Sequence, residues 1–157
     1  NCMCRYMSRG IKESCCINFG VMSEIVEKLP RFIPEKDKFF LTRQQAVERF
    51  TAHNKKGYIG TIWFGPFPYI NNLCSCANPE CAGIRPRFEY GIKSIYKAEY
   101  IVDYFPEKCT GCGLCRKHCP AAAIEGEKKK VHTIHQELCI KCMECYKNCK
   151  FDSIKIL

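Results

Sequence analysis

The feature that most constrains this chain is a cysteine run that occurs twice. The first copy is Cys109-x-x-Cys112-x-x-Cys115-x-x-x-Cys119, followed by Pro120. It begins again at Cys139 and reads Cys139-x-x-Cys142-x-x-Cys145-x-x-x-Cys149. Disulfide frameworks do not take this spacing, and zinc sites use separated pairs of ligands rather than four in one run. Such a run is the ligand set of a 4Fe–4S cluster. A cubane presents four irons, each needing a thiolate. Closely spaced cysteines on one tight loop reach three of them, and the last thiolate must come from a distant segment. In the two-cluster arrangement the fourth cysteine of each run ligates the other cluster. The expectation is Cys109, Cys112, Cys115 and Cys149 on one cluster, with Cys139, Cys142, Cys145 and Cys119 on the other. Gly111 and Gly113 let the first loop bend with its amide hydrogens free to face sulfur. Pro120 sets a turn, and Ala121, Ala122, Ala123 and Ile124 can pack closely beneath a cluster.

On these motifs, residues from about 104 to 157 resemble a bacterial-type two-cluster ferredoxin domain. The resemblance implies two 4Fe–4S clusters in a pseudo-twofold βαββαβ fold that transfers single electrons at low potential. One departure stands out. Lys150 occupies the position after Cys149 where the first copy has Pro120. A cation near a cluster favours its reduced form, unless the side chain points into water.

Fifteen of the 157 residues are cysteine, a share at which thiol chemistry organises a fold. The length suits one domain or two small ones. With 46% hydrophobic and 26% charged residues the chain is neither disordered nor fibrous. No apolar run approaches 18 residues, so no membrane span is expected. The chain opens on Asn1 with no charged-then-apolar leader, and an upstream segment is left open. The formal charge is +9, from 25 basic and 16 acidic residues. Two oxidised clusters at about −2 each would bring it to roughly +5. Lys128, Lys129 and Lys130 form one basic run, and Arg85 with Arg87 another. They suit an acidic docking surface on a redox partner or neighbouring subunit; the alternative is a solvated face. No recognition-helix pattern accompanies them, so nucleic acid is not an expected partner.

The first hundred residues are organised differently. A helical stripe (Phe19, Met22, Ile25, Val26, Leu29) runs over 17–29 and ends at Pro30, with Pro34 keeping the next stretch irregular. Thr42 and Gln45 can close a capping box on a helix with Ala46, Val47 and Phe50 inward, ending at Gly57. A strand over 58–64 follows, broken by Gly65, Pro66 and Pro68. Trp63, Phe64, Phe67 and Tyr69 are expected in the core. A helix or ordered turn is expected over 91–96 and a strand over 100–105. Cysteines fall in the groups Cys2-x-Cys4-Arg5, Cys15-Cys16 and Cys74-x-Cys76-x4-Cys81. Readings of these include a third iron–sulfur cluster or zinc site, buried structural thiols, and a redox-active disulfide. A metal here would draw on Cys2, Cys4 and Cys16, with one or more of Cys74, Cys76 and Cys81. The order C-x-C-R, C-x-x-F-G, helix and C-x-C ahead of the repeated runs is similar to a group of longer prokaryotic 4Fe–4S binding proteins. Their second cysteine group is often the denser C-N-C-C, whereas this chain has Cys74-Ser75-Cys76-Ala77. Among the histidines, His132 and His135 are expected in solvent, His118 beside a cluster sulfur, and His53 as a cation at a helix end.

The sequence thus predicts an α+β chain. A small, mostly helical, cysteine-containing domain over 1–99 precedes the two-cluster domain over 100–157. The expected role is electron transfer, as a carrier or as the ferredoxin-like subunit of an anaerobic oxidoreductase. A redox-sensing module acting through a partner is the alternative. No phosphate loop, dinucleotide fingerprint or Ser–His–Asp pattern points to a catalytic activity of its own. Oxygen-sensitive clusters and many free thiols suit a reducing cytoplasm.

Overall fold

Pairing between distant cysteine-bearing segments sets the architecture of this computed structural model, which describes residues 2–28, 39–65 and 69–157. Both helices and strands form, as an α+β chain requires. Contacts divide the chain into Asn1–Tyr90 and Gly91–Leu157, called units 1 and 2 below. No described helix is long and apolar enough to cross a membrane.

Unit 1 contains helices α1 (Met3–Arg9), α2 (Val21–Lys28), α3 (Arg43–Lys55) and α4 (Ile84–Tyr90). Of these, α2 packs on β3, and α3 on β2 and β3, in an antiparallel sheet of β1 (Cys16–Asn18), β3 (Ile70–Cys76) and β2 (Ile59–Phe64) with β3 in the centre. The register pairs Cys16 with Cys74, and both Thr61 and Cys16 flank Cys74. The capping box forms: Gln45 N–H donates to Thr42 Oγ1 at 3.3 Å and Thr42 N–H to Gln45 Oε1 at 2.9 Å.

Several local expectations need correction. The helix predicted from residue 17 starts at Val21, because Cys16–Asn18 is drawn into the sheet against β3. Instead of a helix over 91–96 there is α4, which ends as Gly91 turns left-handed at φ 66°. Val47 is exposed, and so are Phe64 and Tyr69. Strand alternation turns Ile62 and Phe64 to the same outer face. Leu29, Pro30, Pro34, Pro66, Phe67 and Pro68 lie outside the described residues.

An ion network in unit 1 centres on the buried Arg5. Arg5 is only 5% exposed and its Nη1 donates to Glu13 Oε2 at 2.6 Å. Its guanidinium lies 4.0 Å from the Tyr58 ring centroid. Lys56 Nζ at 3.0 Å and the Tyr58 hydroxyl at 3.1 Å also donate to the Glu13 carboxylate. His53 is buried beside them, and that burial pushes its pKa down. It is therefore poorly suited to the cationic role expected at the helix end. Replacing Glu13 strands a buried cation. Glu13→Gln should lower stability at pH 7 by about 1–3 kcal/mol, measured by anaerobic thermal unfolding. An unchanged melting temperature would contradict the network's importance.

In unit 2, β4 (Val102–Tyr104) pairs antiparallel with β7 (Ile154–Ile156), and β5 (Ile124–Glu125) with β6 (Thr133–Ile134). Between the paired strands lie the short helices α5 (Leu114–Lys117) and α6 (Glu144–Lys147). Residues before β4 also belong to this unit: Ala98 N–H donates to the Ile140 carbonyl and Lys97 Nζ to that of Gln136. Val102, Ile124, Cys145 and Ile154 form its buried core, with Cys115, Cys119 and Cys149 packed against it. A core this small rarely supplies more than about 3–5 kcal/mol to a domain under ~80 residues, so the fold needs a further staple.

Candidate functional site

The two cysteine runs of unit 2 adopt the same backbone path. The first loop turns left-handed at Gly111 and Gly113, with φ of 66° and 77°. The second repeats this at Lys141 and Met143, with φ of 58° and 65°. Each turn launches a one-turn helix carrying the third cysteine, Cys115 on α5 and Cys145 on α6. Gly111 is dictated by space as well. A Cβ there would stand 2.5 Å from both the N and O of Lys130. At Gly113 it would meet only the His132 ring at 3.9 Å. Both alanine variants incur left-handed strain of about 1–2 kcal/mol. Gly111→Ala must also displace backbone, so its melting temperature should fall well below that of Gly113→Ala. Equal losses would contradict this geometry.

Each cavity of unit 2 gathers cysteines from both runs. Cys109, Cys112, Cys115 and Cys149 line one, with Thr110, Gly113, His132 and Ser153. Cys119, Cys139, Cys142 and Cys145 line the other, with Ala121, Ala123, Ile124 and Val102. The fourth cysteine of each run has moved into the cavity of the other.

The two cavities differ in polarity. Burial raises the pKa of Cys109, but donors from Tyr104, the His132 backbone and ring, and Gly111 hold it to about 7. The Cys149 thiol is likewise held low against burial, with Ser153 Oγ 3.1 Å away and N–H groups of Phe151, Ser153 and Ile154 turned to it. In the other cavity burial prevails, pushing Cys142 up to about 11 and Cys145 up to about 12. Backbone donors exist there too: Ala123 N–H to Cys119 Sγ at 3.3 Å and Lys141 N–H to Cys139 Sγ at 3.4 Å.

Tyr104 and His132 were not recognisable as site residues. Both present buried polar atoms without a closed hydrogen bond, Tyr104 Oη and His132 Nε2. His132 Nδ1 stands 3.9 Å from Cys109 Sγ. The solvated reading of His132 is therefore wrong, since it is 2% exposed. The signal that could have revealed it is Gly126, at φ 150°, where a Cβ would lie 2.7 Å from the His132 ring. His135 bonds to Glu125 at 3.0 Å. His118 and Lys150 are exposed. In that position the Lys150 charge is screened by water. Polar groups turned to a thiol of lowered pKa, in a cysteine-lined cavity, fit an anionic group bound through sulfur.

Residues 108–154 match the 4Fe-4S dicluster domain family. That stretch is a 4Fe–4S ferredoxin-like domain. A 55-residue stretch is 58% identical to the NADP-reducing hydrogenase subunit HndC of Solidesulfovibrio fructosivorans. The match takes in 35% of this chain and 11% of that relative. The cysteine-lined cavities and the family match agree on binding of 4Fe–4S.

Unit 1 collects its own thiols. Cys2 and Cys16 stand 3.6 Å apart. Hydrogen-bond contacts continue from Cys2 to Cys4, from Cys16 to Cys74, from Cys74 to Cys76, and from Cys76 to Cys81. The six metal candidates named from the sequence thus form one connected set. Cys15 does not join it. Its neighbours are Glu13 and His53, whose donor atoms lie with its own within 4.8 Å of one another. Burial pushes the Cys15 thiol up to about 12.

Proposed function

We propose that unit 2 is a two-cluster electron relay of βαββαβ type, built from β4, α5, β5, β6, α6 and β7. Cys109, Cys112, Cys115 and Cys149 would hold one 4Fe–4S cluster, and Cys119, Cys139, Cys142 and Cys145 the other. The observation that carries this reading is the composition of the two cavities, each lined by a tight cysteine loop plus one cysteine borrowed from the other run. A bound 4Fe–4S cluster supplies reversible one-electron chemistry. The chain's own groups do the rest. Thiolates anchor it, Val102, Ile124 and Ile140 exclude water, and N–H and O–H donors facing sulfur set the potential.

The likeness to a hydrogenase subunit supports a role as the ferredoxin-like part of a larger anaerobic oxidoreductase. The basic turn Lys128–Lys130 lies against the first cysteine loop, with Lys129 N–H donating to the Gly111 carbonyl at 2.9 Å. Its exposed charge would guide an acidic redox partner toward that cavity. We place this role in a reducing cytoplasm.

Cys112→Ala should lose one cluster or convert it to a three-iron form, seen by electron paramagnetic resonance and iron analysis of anaerobic protein. Two intact clusters would overturn the ligand assignment. Tyr104→Phe should lower the potential of one cluster and leave the other unchanged in a redox titration. Equal shifts in both would place the hydroxyl's influence elsewhere.

A further inference from the structure

The six connected thiols of unit 1 are not used by the electron relay of unit 2. β1 and β3 bring Cys16 and Cys74 together as register partners, and Cys76 lies two residues further on the same face. The start of α1 adds Cys2 and Cys4, and the turn before α4 adds Cys81. We propose that this set is a further metal centre, an iron–sulfur cluster held through Cys2, Cys4, Cys76 and Cys81. Cys16 and Cys74 stand between those two pairs as S–H donors.

Three observations carry this. First, donors from outside the thiol set converge on the four ligands. Arg5 N–H faces Cys2 and Ala82 N–H faces Cys4. The Thr61 hydroxyl is 3.1 Å from Cys76, and Gly83 N–H donates to Cys81 at 3.4 Å. Such donors stabilise thiolate far more than thiol. Second, a cation is buried beside them. Arg5 is 5% exposed; its Nη1 is paired with Glu13, its Nη2 has no hydrogen-bond partner, and its charge reaches Cys76. A permanent buried cation offsets the charge of an anionic centre.

Third, the spread of the sulfurs disfavours a single ion. Tetrahedral zinc holds every sulfur at about 2.3 Å and so brings its ligands together. Among the described residues, the group whose donor atoms all lie within 4.8 Å of one another is Glu13, Cys15 and His53, not a set of these thiols. The Glu13 group is itself a poor metal site, because Arg5, Lys56 and Tyr58 already occupy its carboxylate.

The test is iron, acid-labile sulfide and zinc per chain on full-length protein purified without oxygen. Beside the wild type it uses Cys76→Ser/Cys81→Ser, Cys16→Ser and Cys15→Ser. The expected wild-type result is about twelve irons with matching sulfide and no zinc. The double variant should drop by about four irons, one cubane's worth, while the two single variants keep the wild-type count. About eight irons in the wild type, unaffected by the double variant, would overturn the proposal and leave the two-cluster reading of unit 2 standing. Zinc in place of the additional iron would overturn the iron–sulfur assignment. The wild-type count decides between these even if a variant does not fold.

Discussion

A fourth thiolate delivered from elsewhere is the constraint on which unit 2 depends. One tight loop cannot surround a cubane, so under the proposed ligation each run gives its last cysteine to the other cavity. The backbone obeys by interleaving its halves. Pairing of β7 with β4 brings Ile154 opposite Tyr104, so that Cys149 and Ser153 reach the cavity of the first loop. Pro120 and the small residues after Cys119 let that cysteine line the second cavity with Ala121 and Ala123. Thiols then count as core: Cys145 is buried with Val102, Ile124 and Ile154. Removal of the metal would therefore open the fold as well as the site.

The two halves share a path but not an environment. One cavity is ringed by Tyr104, His132 and Ser153, the other by aliphatic side chains. Hydrogen bonds to sulfur stabilise added negative charge, so an electron should rest more favourably in the first. That cavity also lies beside the basic turn at Lys128–Lys130, through the Lys129 N–H bond to the Gly111 carbonyl.

The sequence was most legible where chemistry fixes spacing. Both cysteine runs, the glycines of the first loop and the Thr42 capping box could be read directly. It was least legible where tertiary contact decides. Nothing local shows that Cys16 will pair with Cys74 across a sheet, because that register depends on residues 54 or more positions apart finding one another. The residue pair Lys141 and Met143 hides its likeness to Gly111 and Gly113, since left-handed turns usually advertise themselves with glycine. His132 looked like a solvated strand residue, and only the space cleared at Gly126 lets its ring go inside. Arg5 is buried by packing against Tyr58, a contact between residues far apart in the chain that its place after Cys4 does not announce.

Crossed ligation is the central claim, and paired substitutions test it most directly. The anaerobic protein would be compared as Cys112→Ser/Cys149→Ser and as Cys112→Ser/Cys119→Ser, reading cluster type by Mössbauer spectroscopy. With the fourth cysteines exchanged, the first variant damages one cluster of unit 2 and keeps the other intact, while the second damages both. If the first variant damages both and the second only one, each run keeps its own fourth cysteine and the account is wrong.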